Sequence, residues 1–213
     1  HLSGDETMLK AFASGEDIHK ATAAEVFGVA LEDVTPFQRR SAKAINFGLM
    51  YGKTAFGLAQ DLKISRTEAQ NYIERYFSRY PGADKLIETL KDQARKEGVV
   101  ETLWGRRWHL PNIMSRSFQN RAHDERTAIN APMQGTAADI IKKAMLLVDE
   151  WIVRDRPPVT MIMQVHDELV FEVDENAVEE VTPIIKKLMS QAADLKVPLD
   201  VDVGVGDNWQ EAH

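Results

Sequence analysis

The stretch Thr35-Pro36-Phe37-Gln38 constrains this chain more than any other. Threonine at an N-cap, proline at the first helical position and glutamine at the third make a capping box, so a helix begins here and stops near Gly52. Projected at about 100° per residue, that helix is two-sided. Ala42, Ile45 and Leu49 form one apolar stripe suited to a core. Arg39, Lys43, Phe47 and Tyr51 follow at four-residue intervals and form a second, slowly drifting face. Two readings fit it. It is either a solvated basic strip whose aromatics pack on a neighbouring subdomain, or a nucleotide surface with cations for phosphates and rings for sugar or base. A phenylalanine on the face that carries the cations favours the second.

A second capping box, Ser65 with Glu68, opens a helix that runs to about Tyr80, where Pro81-Gly82 ends it, and a further helix fills Asp84 to Glu97. Residues 1–27 suggest two short helices, the second opening near Asp17 and stopping at Gly28. "VVETLWGRRWHLP" predicts a hairpin turning at Trp104-Gly105, with a polar loop after it around Ser115 to Asn120. From about Ala122 the pattern is helical to Asn130, broken by Pro132, and helical again from Thr136 to Arg154. "PPVTMIMQVHDELVFEV" has the β-branched and apolar content of a hairpin. "ENAVEEVTPIIKKLMSQAADL" is an amphipathic helix, and "PLDVDVGVGDNW" alternates strictly at period two, as a strand does. The expected class is therefore α+β, a mostly helical subdomain beside a small antiparallel sheet with packed helices.

A net charge of −7 argues at first against a nucleic-acid partner. Its distribution weakens the objection: between Asp167 and His213 twelve acids face three lysines, whereas "RRSAK" at 39–43 and five arginines from Arg106 to Arg126 concentrate positive charge elsewhere. With no cysteine, the chain has neither disulfides nor thiolate metal sites, so any metal is held by oxygen or imidazole. No apolar run is long enough to span a membrane, and "HLSGDETMLK" has neither an initiator Met nor an apolar leader. The expectation is an intracellular chain that is a piece of a longer one.

Three further sets of residues carry chemistry. At "VHDEL", His166, Asp167 and Glu168 concentrate charge at the tip of an apolar hairpin, where Asn-Gly would turn more easily. Two carboxylates about 5 Å apart repel by roughly 0.8 kcal/mol in water and by about 3 kcal/mol at an effective dielectric near 20. A hard cation such as Mg²⁺ would relieve that repulsion; an exposed acidic turn is the alternative. Arg126, Asn130 and Gln134 repeat a polar group every four residues, either bracing nucleic acid or engaged locally with Asp124, Glu125 and the break at Pro132. His19, beside Lys20 on a short helix, reads from pattern as a solvated histidine. "WHLP" and "RAHDE" offer no paired spacing for Zn²⁺.

Together "QRRSAKAINFGLMYG" at 38–52, "INAPMQGTAADIIKKAM" at 129–145 and "MQVHDELVFEV" at 163–173 resemble, in order, three long motifs of the family A DNA polymerases. The resemblance implies fingers at 21–120, a remnant of palm at 1–20 and palm with the carboxylate hairpin at 121–213, with thumb and exonuclease regions absent. It implies that Arg39, Lys43 and His19 hold a dNTP triphosphate, that Lys43 also protonates departing pyrophosphate, and that Phe47 packs on sugar and base. Tyr51 would stack at the templating position, Arg126, Asn130 and Gln134 would brace primer-template DNA, and His166 would lie beside the primer terminus. Asp167 would bind catalytic Mg²⁺, one of two ions, with Glu168 as an outer or occasional ligand. In this family the other metal aspartate, and the glutamate that excludes ribonucleotides, lie on a strand just before the "HLSGD" segment. The expectation is that an upstream part of the same polymerase is a partner and that the chain alone extends no primer. Trp104, Trp108 and Arg116 follow the family less closely and receive no role. The competing readings are a non-catalytic nucleic-acid-binding fragment, a single-subunit RNA polymerase and, more distantly, a metal-dependent nuclease. The resemblance also implies a bacterial, cytoplasmic, nucleoid-associated protein.

Overall fold

The computed structural model describes residues 1–212. Helices dominate, and the two small sheets are antiparallel pairs, so the α+β expectation holds. The chain divides into two compact units, residues 1–133 and 134–213, described in turn.

In the first unit, α1 (Glu6–Ala13) and α2 (Ile18–Phe27) are capped by aspartates: Asp5 accepts the Met8 amide at 2.9 Å and Asp17 accepts the Lys20 amide at 3.0 Å. Helix α3 (Pro36–Met50) begins with both halves of the anticipated capping box, Gln38 N donating to Thr35 Oγ1 and Thr35 N donating to Gln38 Oε1. Between Gly52 and Ser65, where no element is expected, the chain forms α4 (Ala55–Leu62), capped by Thr54. Helix α5 (Arg66–Arg79) uses the Ser65–Glu68 box, and Pro81, which stops it, serves as the first residue of α6 (Pro81–Glu97). Ile45 and Leu49 of α3 meet Val26, Leu58, Ala69, Tyr76 and Tyr80 in the core. Buried Asp5 also accepts the Gly82 amide at 2.8 Å, and a Cβ at Gly82 would lie 2.8 Å from the Asp5 Cα, so only glycine admits this approach.

Strands β1 (Val99–Glu101) and β2 (Arg107–His109) pair with Val100 opposite Trp108, as the sequence suggests. The polar loop is shorter than expected, because α7 (Phe118–Asp155) starts within it. That helix corrects a second expectation, since it runs unbroken through Pro132. A proline inside a helix costs about 3 kcal/mol. Here Pro132 is buried, and Ala128 just before it belongs to a cluster with Ala94, Val100, Leu110 and Ile113. Burial of that segment outweighs the lost bond and holds the helix together.

The second unit contains the C-terminal part of α7, the hairpin β3 (Val159–Val165) and β4 (Glu168–Val173), α8 (Val178–Ser190) and the short α9 (Trp209–Ala212). Val148 and Trp151 of α7, Val159 of β3 and Val181 and Ile185 of α8 form its core. The alternating tail is the third correction: residues 197–206 form no strand. Val197, Leu199 and Val201 are half-buried while Pro198, Asp200 and Asp202 are exposed, so the two faces persist. What is missing among the described residues is a ladder partner, without which alternation alone does not make a strand.

Gly52, with φ of 74°, turns the chain out of α3, and a Cβ there would stand 2.6 Å from the Ile129 Cδ1. Gly52→Ala is expected to destabilise the chain by about 2 kcal/mol through the left-handed backbone and the clash. Ile129→Val removes the clashing methyl and should recover part of that loss in a double-mutant cycle of denaturant midpoints. Equal losses in both backgrounds would show that the contact does not select glycine here.

Candidate functional site

Helix α3 positions its outer face by burying the opposite one. Ala42, Ile45 and Leu49 are 0, 0 and 1% exposed, which fixes the helix about its axis and turns Arg39, Lys43 and Phe47 outward. The Lys43 ammonium lies 5.8 Å from the centroid of the Phe47 ring, within cation–π range. Phe47 in turn stacks on Tyr51 at 6.4 Å and meets the His19 ring of α2 at 5.8 Å. The structure thus brings together the four residues that the helical projection places on this face, Arg39, Lys43, Phe47 and Tyr51, with His19, which only the resemblance adds to them and which is half-buried rather than merely solvated. Phe47 remains 47% exposed even though it meets both rings.

Two residues of this site carry no role in the sequence reading. Asp17 Oδ2 accepts from Arg39 Nε at 2.6 Å, and Asn46 Nδ2 donates to His19 Nδ1 at 3.0 Å. Burial alone would push the Asp17 carboxyl up. The Arg39 hydrogen bond, the Lys20 amide and the nearby Arg39 and His19 charges outweigh it and hold the carboxyl below its ordinary value. His19 is shifted down, first by burial and then by the Arg39 and Lys43 charges, against an upward pull from Asp17. Burial and the two cations therefore favour the neutral form of the ring. Asn46 was findable: on the helical projection it falls between the apolar stripe and the cationic face, where a buried amide signals a polar partner.

Arg126, Asn130 and Gln134 all lie on α7 at four-residue intervals. Local pairing does not occupy Arg126, because Glu125 binds Arg95 at 2.9 Å and Asp124 accepts the Asn112 amide at 2.6 Å. The unbroken helix has no gap at Pro132 for the amides to cap, and Asn130 Oδ1 is buried with no hydrogen-bond partner.

In the second unit Val165 pairs with Glu168, so His166-Asp167 is a two-residue turn. His166 has φ of 51°, a left-handed conformation that costs a non-glycine residue about 1–2 kcal/mol. Gln164 Nε2 donates to the His166 carbonyl at 2.6 Å and braces the turn. Asp167 is exposed at the tip, while half-buried Glu168 accepts from Trp209 Nε1 at 3.4 Å. Among the described residues no three His, Asp or Glu side chains converge as a metal cluster. What the hairpin offers is a partial set of hard oxygen donors, which suits a cation whose remaining ligands come from substrate phosphates and other groups.

Since folded His19 takes up a proton less readily than the unfolded chain, its contribution to stability is complete above the ordinary value of 6.5. It is lost as pH falls through the lower folded value. An NMR titration is expected to place the His19 midpoint below 6.5, with Arg39→Ala moving it up and Asp17→Asn moving it further down. A midpoint at or above 6.5 would contradict this electrostatic description.

Comparison with known proteins identifies the family. The family model of DNA polymerase family A matches residues 1–211. The chain is 58% identical over its whole length to DNA polymerase I of Pseudomonas aeruginosa and 46% identical to that of Lactococcus lactis subsp. cremoris, spanning 23% and 24% of those proteins. Among solved structures, a POL domain of Pol1 from M. smegmatis in complex with DNA primer-template and dNTP aligns over the whole chain with a TM-score of 0.94 and 46% identity, the chain covering 37% of it. With the model matched over nearly its full length and every motif in order, the chain belongs to DNA polymerase family A.

Proposed function

We propose that this chain supplies the nucleotide-binding face and part of the metal-binding carboxylate set of a DNA-directed DNA polymerase. Such an enzyme joins a primer 3′-hydroxyl to the α-phosphate of a dNTP and releases pyrophosphate. The observation that carries the reading is the single outward face of α3, where two cations, two aromatic rings and a histidine from α2 stand together. Arg39 offers a fork of N–H donors and Lys43 a point charge to the triphosphate. Lys43 also gives the departing pyrophosphate a proton. Phe47 presents a ring to the sugar and base of the nucleotide, Tyr51 stacks at the templating position, and His19 donates to a phosphate oxygen.

Arg126, Asn130 and Gln134 brace primer and template. The unpaired Asn130 acceptor and the exposed Arg126 support that assignment. His166, held in a strained turn conformation, lies beside the primer terminus. Polymerases of this family depend on metal ions. We assign the metal as Mg²⁺, two ions in the complete enzyme, with Asp167 as a ligand and Glu168 as an outer or occasional one. When bound there, Mg²⁺ supplies Lewis-acid stabilisation of the reacting oxygens. Residues 21–120 are the fingers, and 1–20 with 121–213 belong to the palm. The partners are primer-template DNA, a dNTP and the upstream part of the same polymerase. Among the described residues no helix is long and apolar enough to cross a membrane. We expect the complete enzyme, as a bacterial DNA polymerase, to work in the cytoplasm at the nucleoid.

The test is a chimera in which residues 1–213 replace the matching segment of the Pseudomonas aeruginosa DNA polymerase I. It should extend a primer with dNTPs in the presence of Mg²⁺. Lys43→Ala should lower kcat/KM by about 100- to 1000-fold, and Asp167→Asn should abolish extension while DNA binding persists. A folded chimera that binds primer-template but extends it no better than Asp167→Asn would overturn the assignment.

A further inference from the structure

Of the three groups proposed to face an anion at the α3 site, Arg39 and His19 each have one side tied to a hydrogen-bonding neighbour. Arg39 gives its Nε to Asp17, at 2.6 Å, and His19 accepts at Nδ1 from Asn46, at 3.0 Å. We infer that Asp17 and Asn46 are positioning residues, orienting Arg39 and His19 so that the guanidinium Nη groups and the imidazole Nε2–H face a bound polyphosphate. The inference rests on the proposed reading of α3 as a triphosphate site and adds two residues that touch no substrate themselves.

The division of labour on Asp17 is specific. Its Oδ1 caps α2 by accepting the Lys20 amide, and its Oδ2 accepts from Arg39 Nε. With Oδ1 engaged, the carboxylate meets the guanidinium at one nitrogen, whereas a two-point Nε–Nη grip would have taken part of the fork. The fork stays available to an oxyanion, and its direction is set by a bond at its base. A surface ion pair of this kind adds little to stability. Its effect lies in removing rotamer freedom from a long side chain before a ligand arrives.

Asn46 has the same logic in the buried layer. It is only 5% exposed, it sits next to Ile45 on α3, and its Oδ1 is buried with no partner. An apolar residue would suit that position better on packing grounds, since a buried unpaired acceptor opposes folding. What the amide provides is a donor to His19 Nδ1, which leaves the ring proton on Nε2. The groups acting on the ring are Asp17 at the start of α2 and Arg39 and Lys43 on α3, and burial with the two cations favours its neutral form. A neutral imidazole can donate to phosphate from Nε2 only if its proton is there. Asn46 is the group that puts it there, and the comparable role of a base-orienting carboxylate in hydrolytic triads is well understood.

Two measurements on the 213-residue chain test this. The first needs no variant: the ¹⁵N shifts of His19 near neutral pH should report the Nε2–H tautomer, and an Nδ1–H tautomer would overturn the role of Asn46. The second is calorimetric titration with inorganic tripolyphosphate. Asp17→Asn preserves the cap, because asparagine caps as well as aspartate, and it should weaken binding about tenfold. Arg39→Ala should weaken it at least as much, and the double variant should bind no worse than Arg39→Ala alone. Unchanged or tighter binding by Asp17→Asn, with Arg39→Ala still weak, would overturn the role of Asp17, the tighter case marking it as a competitor for Arg39. An Arg39→Ala variant that binds tripolyphosphate normally would instead remove the triphosphate reading of α3.

Discussion

The burial of one stripe on α3 is the constraint on which the candidate site depends. Ile45 and Leu49 are sealed in a core built with α2, α4, α5 and α6, and Ala42 is sealed with them. Burying each of the two larger side chains is worth about 1.5–3 kcal/mol. A rotation of α3 by one residue would expose that stripe and turn Arg39, Lys43 and Phe47 into apolar surroundings. The cations therefore face outward because the apolar side leaves them no alternative. The capping box at Thr35 fixes where the helix starts, and Gly52 fixes where the chain leaves it against Ile129.

Charge acts on this frame locally, which is how an acidic chain can present a cationic face. Arg39 and Lys43 lower the proton affinity of His19, Asp17 opposes them, and burial decides the balance. The same neighbourhood keeps Asp17 ionised despite its own burial. The site is a small set of coupled charges on two helices, with aromatic rings filling the space between them. The twelve acids beyond Val165 have no part in it, and an overall charge of −7 is silent about it.

Much of this was legible in the sequence wherever a local rule decided the outcome. Capping boxes, the two hairpins and the four-residue spacing on α3 all depend on residues close in the chain, and they stand in the structure as read. What escaped depends on partners distant in sequence. Pro132 reads as a break until one sees Ala128 packed against Val100 and Leu110. The tail from Val197 to Val205 reads as a strand because alternation describes two faces and says nothing about a ladder partner. Helix α4 is short and its Thr54 cap lacks a glutamate or glutamine at the third position, so no box announced it. Asp17 was visible as a helix start, but its second bond, to a residue 22 positions on, was not. The roles of the site residues came from resemblance to a family, and the helical projection supplied only the face on which they meet.

The central claim is that the outward face of α3 receives a nucleoside triphosphate. It is tested most directly by mapping NMR shift changes across the 213-residue chain as a dNTP is added. The account predicts saturable changes centred on His19, Arg39, Lys43 and Phe47, spreading to Asp17 and Asn46. The surface formed by Glu25, Glu74 and Arg79 on the same unit should stay unchanged. Saturable changes centred on that surface, with α3 unaffected, would contradict it.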